Sequence, residues 1–330
     1  MIGVGAPDSP RVRNHTIGQL HPANPYGKPY DFPALVQNHP DLARFLRPHP
    51  QGGDTLDYND AEAVRHLNEA LMRHHQGLTK WCVPPGHLCP AIPGRIDYLC
   101  HLADLLRRDL HSQPARSIRI LDIGTGATCV YPLLAATQFG WSGVGTESDI
   151  DAHTWAKKQI DAHPRWANTL ECRLQPNPDH IFSGVTKPDE RFSASICNPP
   201  FYPSLEDAQK HVRSGKEIKK APREALKSNS PVRPQSSFGG TGHELWCKGG
   251  EIGFVQRMIQ ESQIRPDLCV WFTTLVARQG NLAPLERALR KASVHDWCIL
   301  PLFAGQKQSR VLAWSFLSPE EREQRLTVTP

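Results

Sequence analysis

A chain of 330 residues, 39% of them hydrophobic and 22% charged, carries enough apolar side chains for one large α/β domain, or for a core with an appended lobe. No apolar run is long enough to span a bilayer, and the first residues lack the basic-then-apolar order of a secretory signal, which argues against membrane and secreted classes. The formal net charge of +5 is modest for this length, so a nucleic-acid function must rest on where the basic residues lie.

Residues 1–58 hold Pro7, Pro10, Pro22, Pro25, Pro29, Pro33, Pro40, Pro48 and Pro50 together with Arg11, Arg13, His15, His21 and Lys28. That density of proline opposes long helices and predicts a mobile basic arm over the first twenty or so residues, which either touches nucleic acid or is solvated. After Asn59 and Asp60, an N-cap pair, Val64, Leu67 and Leu71 recur at helical spacing, and Ile96, Leu99, Leu102 and Leu106 predict a second helix. The loop between them, Cys89 to Tyr98 with Pro90 and Pro93, delivers Arg95 to a helix start. A cation there opposes the helix dipole, which points to an anionic partner or, alternatively, to a surface ion pair. Residues 1–110 therefore read as a proline-rich arm and small N-terminal helical lobe, and residues 111–330 as the core. Nine scattered cysteines without a C-x-x-C pair predict reduced thiols in a cytoplasmic protein, nuclear if the source is a eukaryote, and no metal site.

The core opens with a strand at Ile118 to Leu121. Asp122-Ile123-Gly124-Thr125-Gly126 follows, with a helix expected from Ala127 to Ala136. Glycines at 124 and 126 permit a tight turn against a nucleotide-like cofactor, while an acid at the head of the motif and the lack of a third glycine set it apart from the dinucleotide fingerprint. A strand around Gly143 to Thr146 ends at Glu147, an acid placed to bind a ribose diol or to cap the next helix. A third strand fits near Leu170 to Leu174. Phe192 to Cys197 predicts a buried strand, and Asn198-Pro199-Pro200-Phe201 stops it at its carboxyl end, where open α/β sheets bind ligands. The Asn198 side-chain oxygen and the Pro199 carbonyl can each accept a hydrogen bond from a planar amine, with Phe201 offering a stacking face; the alternative is a plain proline-rich turn. In this order the motifs predict an α/β class I S-adenosylmethionine-dependent methyltransferase, a Rossmann-like seven-stranded sheet acting on an exocyclic amine.

Residues 203–240 form a basic loop beside that motif. Lys210, Arg213, Lys216, Lys219, Lys220, Arg223, Lys227 and Arg233 face only Glu217 and Glu224 between positions 208 and 235. This row suits phosphate contacts and has no use with a small amine, though a solvated loop would carry the same charge. Leu268 to Val276 is β-rich, Leu282 to Leu289 helical, and His295 to Leu300 with Val311 to Leu317 predicts a closing hairpin. Its loop carries Gln306, Lys307 and Arg310, as a second RNA contact or as an ordinary polar turn.

Asp122 to Ala127, Tyr131-Pro132-Leu133, Thr146-Glu147, Cys197 to Phe201, Gly249-Gly250-Glu251 and Ala313-Trp314-Ser315-Phe316 stand in an order that resembles one family. It comprises the bacterial large-subunit ribosomal RNA adenine-N6 methyltransferases (RlmF type) and the eukaryotic spliceosomal small nuclear RNA adenine-N6 methyltransferase. The similarity runs from about His21 to Leu317, and Glu244 to Cys247 with Gly305 to Arg310 favours the bacterial branch. The resemblance implies that S-adenosylmethionine is held by Arg95 at its carboxylate, by Asp122, Gly124, Gly126 and Asn198, and by Glu147 at its ribose. It implies further that Asn198 to Phe201 hold the adenine of an unpaired adenosine, stacked on Phe201 or Tyr202, with Lys210 to Arg223, Lys307 and Arg310 on the RNA. The protein is expected to act as a monomer. A relative that methylates tryptamine-type amines also keeps N-P-P-F, and the proline-rich stretch Ser228 to Pro234 has no counterpart in the family.

Overall fold

The computed structural model describes residues 19–110, 117–204, 206–207, 246–304 and 307–327. Proline directs the start of the chain without preventing helix. In helix α1 (Phe32–Asn38), Asp31 accepts a hydrogen bond from the Ala34 N–H at 3.1 Å, and Pro33 sits in the first turn, where its missing N–H would be unpaired anyway. A two-stranded ribbon follows, β1 (Leu46–Pro48) antiparallel to β2 (Asp54–Leu56). Asp60 caps α2 (Ala61–Gln76) through the N–H groups of Glu62 and Ala63, and Gly77 closes it in the left-handed region. Helix α3 (Ile92–Arg108) takes its N-terminal bond from outside the helix: the Ile92 N–H donates to the side chain of Asn68 in α2 at 3.1 Å.

Seven strands form one sheet in the order β5-β4-β3-β6-β7-β9-β8. These are β3 (Arg119–Ile123), β4 (Ser142–Glu147), β5 (Leu170–Leu174), β6 (Phe192–Cys197), β7 (Cys269–Val276), β8 (Asp296–Ala304) and β9 (Lys307–Ser315). The first five run parallel, and β9 returns antiparallel between β7 and β8. The chain builds outward from β3 through β4 to β5 and then restarts on the other side of β3 with β6, so the carboxyl tips of β3 and β6 flank a topological switch point. Every residue of β6 and β7 is buried, as strands covered on both faces require.

Helices α3, α4 (Val130–Phe139) and α5 (Ile150–Asp161) cover one face, α6 (Gly250–Ile264) and α7 (Leu282–Lys291) the other. Successive residues of β7 serve opposite sides: Trp271 belongs to the first apolar cluster with Tyr98, Leu133 and Ile196, and Phe272 to the second with Val255, Leu285 and Trp314. The first cluster also contains Tyr26, Phe32 and Leu71 from the segment before β3, and Leu326. A last helix, α8 (Pro319–Thr327), places Arg322 inside this cluster. Its guanidinium lies 3.1 Å from Asp109 at the end of α3, 3.2 Å from Asp296 in β8 and 4.7 Å from the Trp271 ring centre, while Trp271 donates to Asp109 at 2.6 Å.

Some expectations shift. The helix expected from Ala127 begins at Val130, because Gly126 and Cys129 both take positive φ and residues 124–129 form a turn. The closing hairpin is longer than expected, so Lys307 and Arg310 lie in strand β9 instead of in its loop. All nine cysteines are free thiols.

Candidate functional site

At the tip of β3 the backbone turns with Gly124 at φ 68° and Gly126 at φ 65°. No atom lies within 4 Å of where a Cβ on Gly124 would stand, so the constraint there is conformational and the space beside it is open cleft. Glu147, at the tip of the neighbouring β4, is buried. One of its carboxylate oxygens accepts from the Gly126 N–H at 2.9 Å, the other from the N–H groups of Ser148 and Asp149 at 2.8 and 3.0 Å. These bonds lock the acid against the glycine turn beside the cleft.

Arg95 approaches from the first turn of α3. It donates to the Tyr131 hydroxyl of α4 at 3.0 Å, and its guanidinium carbon lies 5.3 Å from that ring's centre. Its Nε is buried without a hydrogen-bond acceptor. Asp122, only 1% exposed, has neither carboxylate oxygen hydrogen-bonded, and its pKa is pushed up to about 7. Burial is the main cause; Glu147 adds to it, while Thr125 and Arg95 pull the other way. No well-directed hydrogen bond joins Thr125 to Asp122, since Thr125 Oγ1 is itself without a partner. An unpaired donor on Arg95, unpaired acceptors on Asp122 and an anchored acid at Glu147 fit the carboxylate, ammonium and ribose of an amino-acid-bearing nucleoside.

On the other side of the switch point, β6 ends at Cys197 and is followed by Asn198, whose Oδ1 is buried and accepts no hydrogen bond. The strand below it is held by polar bonds that leave no slack. Thr273 of β7 donates to the Ser195 carbonyl at 2.5 Å, and its hydroxyl lies 2.8 Å from that of Tyr98. After Phe201 the chain is clamped to the start of α6. A Cβ on Gly250, which has φ 58°, would stand 3.1 Å from the Pro203 nitrogen, and the Cys247 N–H donates to the Tyr202 carbonyl at 3.0 Å. Buried Glu251 then ties α6 to the exit of β7, accepting from the Ala277 N–H at 2.6 Å and the Asn281 amide at 2.5 Å.

Of the residues expected at the site, Arg95, Gly124, Gly126, Glu147, Asn198 and Pro200 line one cleft, joined by Tyr131 and Phe254. Asp122 lies beneath it, Pro199 is buried beside it, and Phe201 packs partly against the first apolar cluster. Lys210, Arg213, Lys216, Lys219, Lys220 and Arg223 lie outside the described residues, as does the basic arm through residue 18. The backbone of Lys307 belongs to β9, and Arg310 pairs in register with Val276, so both fall at the sheet edge that carries the cleft. Sequence reasoning missed Glu251 as the residue that fixes this edge, because its partners stand 26 and 30 residues further along.

A seven-stranded sheet with an antiparallel last pair, a glycine turn beside a buried acid and an asparagine with an unpaired oxygen after a central strand define a class I methyltransferase. A family profile described as RNA methyltransferase matches residues 15–318, and the chain belongs to that family, in its RlmF branch. It is 42% identical over 320 residues to the ribosomal RNA large subunit methyltransferase F of Shewanella baltica (strain OS223), covering 96% of this chain and 85% of that protein. The enzyme of the same name from Pseudomonas savastanoi pv. phaseolicola is also 42% identical over 320 residues, with 96% and 94% covered. Among solved structures, the catalytic domain of human METTL16 in complex with MAT2A 3′UTR hairpin 1 superposes with a TM-score of 0.73 at 29% identity, covering 91% of this chain and 96% of that one. The N-terminal domain of human METTL16 in complex with S-adenosylhomocysteine superposes with a TM-score of 0.71 at 28% identity, covering 91% and 100%. The chain is thus an S-adenosylmethionine-dependent RNA methyltransferase.

Proposed function

We propose that this enzyme methylates the exocyclic N6 of an unpaired adenosine in large-subunit ribosomal RNA. The observation that carries the reading is the buried Asn198 Oδ1 without a donor, set on a rigid strand tip in the same cleft as Gly124 and Glu147. S-adenosylmethionine supplies an electrophilic methyl group. The residues do the rest by placement. Adenine's exocyclic nitrogen is a poor nucleophile because its lone pair is delocalised into the ring. Two acceptors, Asn198 Oδ1 and the Pro199 carbonyl, draw its hydrogens out of the ring plane and aim the recovered lone pair into the cleft. The proton leaves after the nitrogen has become cationic, so no strong general base is needed.

The base reaches the cleft only if it is single-stranded, bulged or flipped out. The choice of ribosomal RNA follows the substrate in the names of relatives about 42% identical over nearly the whole chain. Action as a monomer is part of the same proposal, and a cytoplasmic place suits relatives named for ribosomal RNA. No helix among the described residues is long and apolar enough to cross a membrane. The roles given to Arg95, Asp122, Gly124, Gly126 and Glu147 toward the cofactor, and to the basic residues toward RNA, belong to the same proposal.

Asn198→Ala removes the acceptor and leaves the cofactor turn intact. Methyl transfer to large-subunit RNA should fall by more than a hundredfold, with S-adenosylhomocysteine affinity within about twofold of wild type, measured by nucleoside mass spectrometry and calorimetry. Turnover surviving within about tenfold, a loss of only about 1.4 kcal/mol, would falsify the role of Asn198.

A further inference from the structure

Two side chains near the cleft take no part in the methyl-transfer step described above, although the resemblance offers one of them, Tyr202, beside Phe201 as a stacking face for the adenine. Tyr202 leaves the β6 exit four residues after Asn198, and Arg278 leaves the β7 exit two residues after Val276. The Arg278 guanidinium carbon lies 6.0 Å from the Tyr202 ring centre. Their backbones are mounted on the same turn of α6: Tyr202 through Cys247 and the close approach at Gly250, Arg278 through its N–H to the Glu251 carboxylate at 3.4 Å, next to the tighter Ala277 bond. Yet the Arg278 side chain is exposed and, among the described residues, has no carboxylate partner. A cation whose main chain is bolted to a buried acid while its fork stays open is arranged for an anion that arrives from outside.

We infer that Arg278 binds the phosphate of the nucleotide adjoining the target adenosine while Tyr202 stacks on that nucleotide's base, which sets the register of the RNA strand in the cleft. The inference rests on the RNA adenine reading above. Reach supports it: four residues span at most about 14 Å, so Tyr202 is within a nucleotide step or two of the amine acceptor. A guanidinium over an aromatic ring presents a phosphate fork and a stacking face side by side, the pair of contacts one unpaired nucleotide needs. Arg310, in register with Val276, continues the positive edge along the same side.

The test uses the full chain, a synthetic RNA with the modified adenosine's own sequence, and the variants Arg278→Ala, Arg278→Lys and Tyr202→Ala. Arg278→Ala should raise the RNA KM about tenfold and flatten the salt dependence of RNA affinity by about 0.7 log units, one single-strand phosphate contact. Its kcat at saturating RNA and its S-adenosylhomocysteine affinity should stay within about twofold of wild type. Arg278→Lys should restore the salt slope, since the charge remains. An abasic flanking nucleotide should abolish the penalty of Tyr202→Ala, because the ring then has no base to stack on. Wild-type KM and slope in Arg278→Ala, or a loss confined to kcat or to cofactor affinity, overturns the inference and leaves adenine methylation standing. A wild-type protein that neither binds nor methylates the RNA overturns both.

Discussion

Glu147 uses both carboxylate oxygens on backbone N–H groups, two on Oε1 and one on Oε2, and a carboxylate can accept about four hydrogen bonds. Oε2 is the oxygen that faces the Gly126 turn. In Glu147→Gln the amide nitrogen would take that position, opposing the Gly126 N–H and offering a diol no anionic acceptor. Affinity for S-adenosylhomocysteine should fall by about 1.5–3 kcal/mol, roughly ten- to a hundredfold, in a titration calorimeter. Unchanged affinity would mean that the ribose lies elsewhere. Glu147 and Asn198 were legible in the sequence because each stands at the end of an apolar strand, and in a parallel sheet that one fact places a residue at the ligand edge. Arg278 and Glu251 were not, since an acid buried under a helix start or an arginine over a tyrosine is defined by contacts between distant segments.

Among the elements, α1 and α2 enclose a cluster of buried ionisable side chains. His39, at the end of α1, and His66, in α2, lie 2.7 Å apart with rings stacked, and Glu69 is within 3.4 Å of His39. Arg73 donates to the other His39 nitrogen at 2.8 Å, Arg65 reaches His66 and Glu69, and Asp41 and Glu62 stand nearby. Burial first, then Arg73 and His66, lowers His39 to about 4, and burial with Arg65 lowers His66. Above about pH 6.5 neither the folded nor the unfolded chain protonates these rings, and their contribution to stability is complete. Between about 6.5 and 4 the unfolded chain binds protons that the folded chain refuses, so stability falls as pH falls. The urea midpoint should therefore drop from pH 7 to pH 5, and the slope should be shallower in His39→Gln; parallel slopes in the two proteins would show that His39 titrates alike in both states.

Element boundaries were legible where a cap or a strand-ending motif marks them, as at Asp60 and Asn198. The seven-residue α1 was hidden because prolines were weighed only as breakers, although Pro33 after the Asp31 cap is a helix start. Helix α8 was missed despite a reciprocal capping box: the Glu321 N–H donates to the Ser318 hydroxyl at 3.2 Å, and the Ser318 N–H to the Glu321 carboxylate at 2.7 Å. The hairpin's extra length left no local mark, because its pairs from Leu302 with Ser309 to Ala304 with Lys307 extend beyond the end of β7.

Across the whole molecule, the formal charge of +5 understates how basic the segment after the Asn198 motif is, since six cations stand between Lys210 and Arg223 in the sequence. Replacing Lys216, Lys219, Lys220 and Arg223 together by Ala should weaken RNA binding and lower its salt slope by up to about 0.7–0.9 log units per lost contact, leaving S-adenosylhomocysteine affinity untouched. Identical slopes, with efficient methylation of a tryptamine-type amine, would transfer the enzyme to small-molecule chemistry.

Arg322 ties the last described helix to the helix that carries Arg95. It supplies the cation for Asp109, which is buried at the end of α3, while Trp271 of β7 donates to the same carboxylate. Without that cation a buried carboxylate would lose its counter-charge, a large electrostatic cost. Helix α8 therefore acts as a keystone for α3: a lesion at Arg322, remote from the cleft, would be felt at the other end of α3, where Arg95 lines it.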